Sequence, residues 1–339
     1  MISVGVCDHG TIHRPPGIDV ESSSGAVESG VCWLDKHHVM QNSEFRIQIV
    51  SAFCIPHSEF QMAITTRFAP SPTGYLHLGH VVNAIYVWGT ARARGGRVIL
   101  RIEDHDRIRS RAEFEASILE DLDWLGFNAD EGRRPILRQS DRPAAYAKAL
   151  EALRATRHVY ACDCSRKEIG GERYPGRCRG RAIAEAPGCG IRVQVDDGFE
   201  EFEDLRLGRI RQAPAEQCGD ILLRDRDGHW TYQFAVTVDD MNQEIDLVIR
   251  GGDLLSSTGR QIALARMLGR PAPPRFLHHP LILKPGGDKL SKASGDTGVR
   301  ELRRAGVSAP DVIGRAAAAV GLIATPRPVS AREVAAFLT

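Results

Sequence analysis

The sequence predicts an α/β protein built on a doubly wound parallel sheet, interrupted once by an inserted segment. Three observations carry this expectation. From Ile64 onward, short apolar runs of strand length alternate with longer amphipathic stretches, the order expected of parallel strands joined by helical crossovers. The alternation breaks between Cys162 and Pro214, where glycine, arginine and cysteine replace the periodic residues. Strand-like pieces then resume at Asp220.

The elements follow in order. Ile64 to Phe68 reads as a first strand, and Leu78 to Arg94 as a helix with Val81, Ile85 and Trp88 on one face. Arg97 to Ile102 (RVILRI) reads as a second buried strand and Ala112 to Leu125 as a second amphipathic helix. Asp141 to Arg154 has helical spacing with Asp141 as its expected N-cap, and Val159 to Ala161 is expected to continue the sheet. Within the insertion, Ile191 to Val195 alternates like a strand. After it, DILLRD, WTYQFAV and IDLVIRG all look strand-like, followed by a helix at Ser257 to Leu268, the segment PRFLHHPLILK and an alanine-rich helix at Pro310 to Val320. These pieces divide the chain into 1–61, 62–161, 162–214, 215–292 and 293–339.

Composition sets the bounds. Of 339 residues, 42% are hydrophobic and 26% charged, which excludes a collagen or a wholly disordered chain. No run of about 18 apolar residues exists to span a bilayer. The net charge is only +1, so no overall basic field marks a nucleic-acid partner, and any such contact rests on a local patch. Residues 1–61 carry three basic and seven acidic side chains, five of the twelve histidines and no sustained period. They are expected to be a poorly structured extension, and Met62 is a candidate natural start. Neither a secretory signal nor a transit peptide fits them. Cysteines 162, 164, 178, 189 and 218, closely spaced without a secretory signal, point to metal binding in a reducing, cytoplasmic setting.

Two motifs carry chemistry. Arg67 to His80, RFAPSPTGYLHLGH, is a strand, a turn and a helix start. The first such turn in a doubly wound sheet is where a nucleotide's phosphates meet a helix N-terminus. Gly79 would admit the nucleotide to the backbone, and His77 and His80 would donate to phosphate oxygens. Taken alone, two histidines at a helix start are more often structural. Lys289 to Lys292 (KLSK), flanked by glycines, places two lysines where they can close over a triphosphate. By itself it reads more readily as an ordinary solvated lysine pair.

RFAPSPTGxLHxGH, then RIEDxD, then KLSK together resemble the class I glutamyl-tRNA synthetase family, whose two signatures are written HIGH and KMSKS. The resemblance runs from about Arg67 to Lys292 in the family's order, with Leu78, Leu290 and Ala293 departing from the signature residues. It implies the Rossmann-like class I catalytic domain and an ATP-dependent ligase using Mg²⁺. It further implies a glutamate pocket of Arg67, Phe68, Ala69, Pro70, Ser71, Glu103, Tyr232 and Arg250, and an ATP site of His77, Gly79, His80 and Lys292, with His77, His80, Lys289 and Lys292 catalytic. The chemistry agrees: Arg67 and Arg250 can each grip a carboxylate bidentately, and Glu103 can hold an ammonium. Read without the family, pairing of Arg250 with Asp246 or Asp253 and a core role for Tyr232 stand ahead of these assignments.

Only 47 residues follow Lys292, fewer than the roughly 100 of a typical separate domain, so no anticodon-binding domain is expected. That makes the chain similar to a truncated branch of the family. The branch activates L-glutamate with ATP without tRNA and transfers it to the queuosine base at the wobble position of tRNA(Asp). A truncated tRNA-charging enzyme and a silent binding paralogue are the alternatives. Cys162-x-Cys164, nine residues, Tyr174, three residues and Cys178 match that branch's structural zinc site. Tyrosine is the implied fourth ligand, with Cys189 or His158 left open in its place. Arg166, Lys167, Arg173, Arg177, Arg179 and Arg181 surround the site and are as readily a tRNA-phosphate patch as a solvated face. A monomer is expected.

Overall fold

The computed structural model describes residues 63–282 and 298–338, together with the backbone of a short strand, β1 (Gln48–Val50). The rest of the 1–61 extension, the Met62 start and Lys289 and Lys292 lie outside the described residues. Among the described residues no helix is long and apolar enough to cross a membrane.

The first half opens with β2 (Thr65–Phe68), α1 (Leu78–Ala93), β3 (Arg97–Ile102), α2 (Ala112–Leu125) and β4 (Leu137–Arg138). β2, β3 and β4 pair in parallel. α3 (Pro143–Thr156), β5 (Val159–Cys162), α4 (Arg166–Ile169), β6 (Gly190–Val193), β7 (Glu200–Asp204), β8 (Gly208–Gln212), α5 (Pro214–Gln217) and β9 (Ile221–Arg224) follow. The chain continues through α6 (Tyr232–Asn242), β10 (Leu247–Gly251), α7 (Thr258–Met267) and β11 (Arg275–His279), and resumes with α8 (Val299–Arg304) and α9 (Ala309–Ala319).

β10 runs parallel to β11, which pairs with β7. β2 and β10 are stitched side by side: the Asp246 amide donates to the Thr65 carbonyl at 3.1 Å, and the Thr65 amide donates to the Asp246 carboxylate at 3.0 Å. The strand order therefore reverses between β2 and β10. Ligands of open α/β sheets bind at such a reversal, beyond the carboxyl ends of the strands. The main core lies under α1, whose Ile85, Val87 and Trp88 pack with Val98, Leu100 and Ile102 of β3. α1 is buried along most of its length because α9 and the final turn covering Val334 close over its outer face.

Several expectations need correction. Asp141 does not cap α3; it ends a single 3-10 turn, and the helix begins at Pro143 after Arg142. Proline lacks an amide hydrogen and suits the first helical position, so the cap moves to Arg142 and the helix starts one residue later than expected. β5 does not join the parallel sheet but pairs antiparallel with β6, which pairs antiparallel with β9; three apolar residues carry no information about their partner strand. WTYQFAV is not a strand: it opens α6, which buries Phe234, Ala235 and Val238. An aromatic and β-branched run mimics a strand when short, and only the continuation through Asn242 reveals the helix. The β7–β8 hairpin, inside the range read as the insertion, hydrogen-bonds to β11.

Candidate active site

The ends of β2, β3 and β10 and the start of α6 bring Arg67, Glu103, Arg250 and Tyr232 into one crevice. Their charges are set by residues behind them. Arg101, fully buried in β3, donates to Glu103 at 2.9 Å and lies 2.9 Å from the Asp240 carboxylate and 3.8 Å from Asp239. Despite its burial, these anions hold its guanidinium well above the usual range. Arg67 donates from Nε to both Asp240 oxygens at 3.1 and 3.2 Å and from a terminal nitrogen to the Ile249 carbonyl at 3.2 Å. Asp240 is itself held below the usual carboxylate range by Arg67 and Arg101, against the upward effect of burial. Asp239 anchors the far side, accepting from Tyr146, Gln139 and Arg142.

Arg250 is different. It is buried, yet among the described residues no carboxylate lies within ion-pair range, so neither Asp246 nor Asp253 takes the guanidinium. Its donors go to neutral acceptors: His278 Nε2 at 3.1 Å, Gln261 at 2.6 Å and Thr258 at 2.8 Å. Burial pushes its pKa down. Tyr232 feels Glu103, Arg250, Arg67 and Asp240 together, and burial followed by Glu103 raises its pKa. A buried cation satisfied only by neutral groups is costly until an anion reaches it. The crevice thus presents an anion-seeking guanidinium at β10 and a carboxylate at Glu103.

The turn after β2 supplies the helix start. His77 is the N-cap of α1: its Nδ1 accepts from the Gly79 amide at 3.1 Å, while His80 Nδ1 accepts from the His77 amide at 3.1 Å. The rings lie 3.9 Å apart. With each Nδ1 lone pair occupied, a neutral ring carries its proton on Nε2, which makes both Nε2 atoms donors. A Cβ at Gly79 would come within 2.9 Å of the His77 ring, so the glycine also makes room for the cap. Beyond the undescribed segment the chain returns to this turn: the Val299 amide donates to the Leu76 carbonyl at 2.9 Å, and Gly298 bridges His77.

The remaining residues named from the sequence divide by position. Phe68 is core, 5.1 Å from the Trp88 ring. The Pro70 carbonyl accepts from the Glu103 amide at 3.0 Å, and the Ser71 carbonyl accepts from the Thr73 amide at 2.8 Å, so this turn fixes Glu103 through its backbone with Ala69 between. Sequence reasoning missed Arg101, Asp239, Asp240, Asp204 and His278. An arginine between Leu100 and Ile102 in the apolar strand RVILRI and an Asp-Asp pair closing an apolar run were the available signals, because buried charges require partners. His105, 5.8 Å from the Tyr232 ring and tied to Gln139 at 2.8 Å, was also missed.

Away from the crevice, the thiols of Cys162, Cys164 and Cys178 lie within 4.8 Å of one another. The Tyr174 hydroxyl sits among them, donating to Cys162 at 3.5 Å and accepting from the Cys178 amide at 2.8 Å. Neither Cys189 nor His158 joins the group; His158 is bonded to Gln194. Tyr174 is held by its backbone bridge to Gly219, where positive φ and a Cβ that would fall 2.0 Å from the Tyr174 carbonyl both demand glycine. The surrounding basic residues are partly committed: Arg179 pairs with Asp220, Arg181 with Asp163, and Arg173 donates to the Ala215 carbonyl.

Residues 63–308 match the catalytic-domain model of the class I tRNA synthetases for glutamate and glutamine. The glutamyl-Q tRNA(Asp) synthetase of Nitratidesulfovibrio vulgaris is 39% identical over 81% of this chain and 92% of its own. That of Symbiobacterium thermophilum is 41% identical over 79% and 90%. Among solved structures, a glutamate tRNA ligase from Elizabethkingia meningosepticum in complex with its amino acid superposes with a TM-score of 0.67 at 29% identity, covering 80% of this chain. The chain spans only 64% of that ligase. The chain therefore belongs to the class I tRNA synthetases of the glutamate and glutamine group, a family of ATP-dependent ligases, on the branch of the glutamyl-Q tRNA(Asp) synthetases.

Proposed function

We propose that this enzyme activates L-glutamate with ATP in the absence of tRNA and then transfers the glutamyl group to the queuosine base of tRNA(Asp). The observation that carries the first half is Arg250, a buried guanidinium whose partners among the described residues are neutral, near Tyr232, Arg67 and Glu103. Glutamate supplies the complementary set: its side-chain carboxylate meets Arg250, its ammonium meets Glu103, and Arg67 holds the α-carboxylate. The crevice then presents the α-carboxylate to the α-phosphorus of ATP. A carboxylate oxygen bonds to that phosphorus, pyrophosphate leaves, and glutamyl-adenylate remains. In the second step a queuosine hydroxyl attacks the activated carbonyl, AMP leaves with the bonding electrons, and the hydroxyl proton passes to solvent.

His77 and His80 stabilise the phosphate oxygens through their Nε2 donors, acting by position and charge without becoming covalently modified. Lys289 and Lys292 are assigned to the departing pyrophosphate on the family pattern. Mg²⁺, which the family uses with ATP, neutralises phosphate charge. The thiols of Cys162, Cys164 and Cys178 with the Tyr174 oxygen offer three sulfur ligands and one oxygen ligand close together, a donor set that suits a tetrahedral zinc. Zinc there would be structural, tying the segment after β5 to Gly219. Exposed Arg166, Lys167 and Arg177 remain for tRNA phosphates. A reducing, cytoplasmic setting keeps these thiols available, and the enzyme acts as a monomer.

The test is acceptor identity. Labelled glutamate is offered with ATP to queuosine-bearing tRNA(Asp), to tRNA(Asp) lacking the modification, and to tRNA(Glu). Transfer to the first alone, abolished by periodate cleavage of the cyclopentenediol, is the expected result. Transfer to the 3′ end of tRNA(Glu) would establish a charging enzyme instead, and no transfer to any would leave a binding paralogue.

A further inference from the structure

The neutral side of Arg250 is built from residues that touch no substrate in the reading above. Asp204, at the end of β7, is 1% exposed and His278, in β11, is 0% exposed. One Asp204 oxygen accepts from the His278 amide at 3.0 Å and from its Nδ1 at 2.6 Å. The other accepts from the amides of Arg206 and Leu207 at 3.0 and 2.9 Å. With both oxygens accepting, the carboxylate fixes the His278 proton on Nδ1, leaving Nε2 as an acceptor. That lone pair faces Arg250 Nε at 3.1 Å and the Thr258 hydroxyl at 3.2 Å. Thr258 in turn accepts from an Arg250 terminal nitrogen at 2.8 Å.

We propose that Asp204 and His278 are positioning residues for glutamate: by fixing the imidazole tautomer, Asp204 makes His278 an acceptor that orients the Arg250 guanidinium toward the substrate's side-chain carboxylate without neutralising it. This inference rests on the assignment of Arg250 to glutamate. A direct carboxylate partner would orient the arginine equally well, but it would compete with the substrate. The imidazole transmits the anion's ordering one residue removed and leaves the positive charge for the ligand. Burial, foremost, and the nearby guanidinium hold His278 below its ordinary pKa, consistent with a neutral ring. The arrangement also ties the pocket to the β7–β8 hairpin, since Arg206 donates to the His278 carbonyl at 2.6 Å.

Asp204→Asn is the decisive variant because it keeps the shape. The amide can donate to His278 Nδ1, which moves the ring proton to Nε2 and sets two N–H groups against each other at Arg250. Glutamate-dependent ATP–pyrophosphate exchange should show a KM for glutamate raised about tenfold or more, with the KM for ATP within about twofold and Tm within a few degrees of wild type. His278→Gln, which can place an amide oxygen near the Nε2 position, should recover most of the affinity that His278→Leu loses. An unchanged glutamate KM in a folded Asp204→Asn enzyme, or equal rises in both KM values, would overturn the inference. Should Asp204→Asn fail to fold, the Gln and Leu variants at 278 decide alone, and equal glutamate KM values in the two would overturn it. If wild type shows no glutamate dependence, with or without tRNA, the glutamate assignment itself fails and this inference with it.

Discussion

The crevice and the cysteine cluster solve opposite electrostatic problems. In the crevice, Arg67, Arg101, Glu103, Asp239 and Asp240 compensate one another, and Arg250, which has no anionic partner among the described residues, is held by neutral acceptors. This site is ordered by the protein before any ligand arrives. In the cluster, three thiols are brought together beside the Tyr174 hydroxyl, the Asp163 carboxylate and the Arg181 guanidinium. That site is ordered by the chain and, in the reading proposed above, would be completed by a cation. On the proposed function, the first arrangement would store affinity for an anionic substrate and the second affinity for a metal.

The comparison breaks most severely at Arg101. Arg101→Met leaves buried Glu103, Asp239 and Asp240 without their shared cation, and uncompensated buried charge costs about 3–5 kcal/mol. Thermal unfolding should show a loss large enough to threaten folding, with activity gone at any glutamate concentration. Arg250→Gln separates function from fold. Its neutral partners accept an amide, so Tm should stay within a few degrees, while kcat/KM for glutamate should fall on the order of 10²–10³-fold through loss of a bidentate charged contact. A parallel collapse of Tm would show that Arg250 is structural.

The cluster is sharpened by metal content. Purified enzyme should carry about one zinc per chain by elemental analysis, and Cys164→Ser or chelation should remove it and lower Tm, since structural metal affinity is folding energy. A metal-free enzyme of unchanged stability would reduce the cluster to three unligated thiols. The smallest effect lies away from both sites. Asp121 of α2 is buried with one carboxylate oxygen unpartnered, and its pKa is raised to about 6, chiefly by burial. Between its unfolded value near 4 and about 6, the native state binds more protons than the unfolded state, so this group's contribution falls as pH rises through that window. Asp121→Asn should therefore raise stability by about 1–2 kcal/mol above pH 6, with the gain vanishing below about pH 4.

What was legible followed from periodicity and from spaced motifs. The alternation up to Leu125 placed β2, α1, β3 and α2 closely because each run was long and bounded by turn residues. His77 at the start of α1 and the approach of Cys162, Cys164 and Cys178 were readable because their geometry is local in sequence. The partners of Arg101 and Arg250 were not readable. Asp240 lies 139 positions from Arg101, and His278 reaches Arg250 only through strand pairing. Buried charge announces that a partner exists without saying which residue it is. WTYQFAV misled for a related reason, since composition resembled a strand while Asp239 and Asp240, which the helix carries inward, resembled its end.

The most direct test of the account is glutamate-dependent ATP–pyrophosphate exchange measured with no tRNA present, comparing glutamate, glutamine and aspartate. Exchange with glutamate alone is the predicted result, because Arg250 and Glu103 are positioned without help from a nucleic acid. Exchange that begins only when tRNA(Glu) is added would contradict it, showing a pocket that the tRNA must complete.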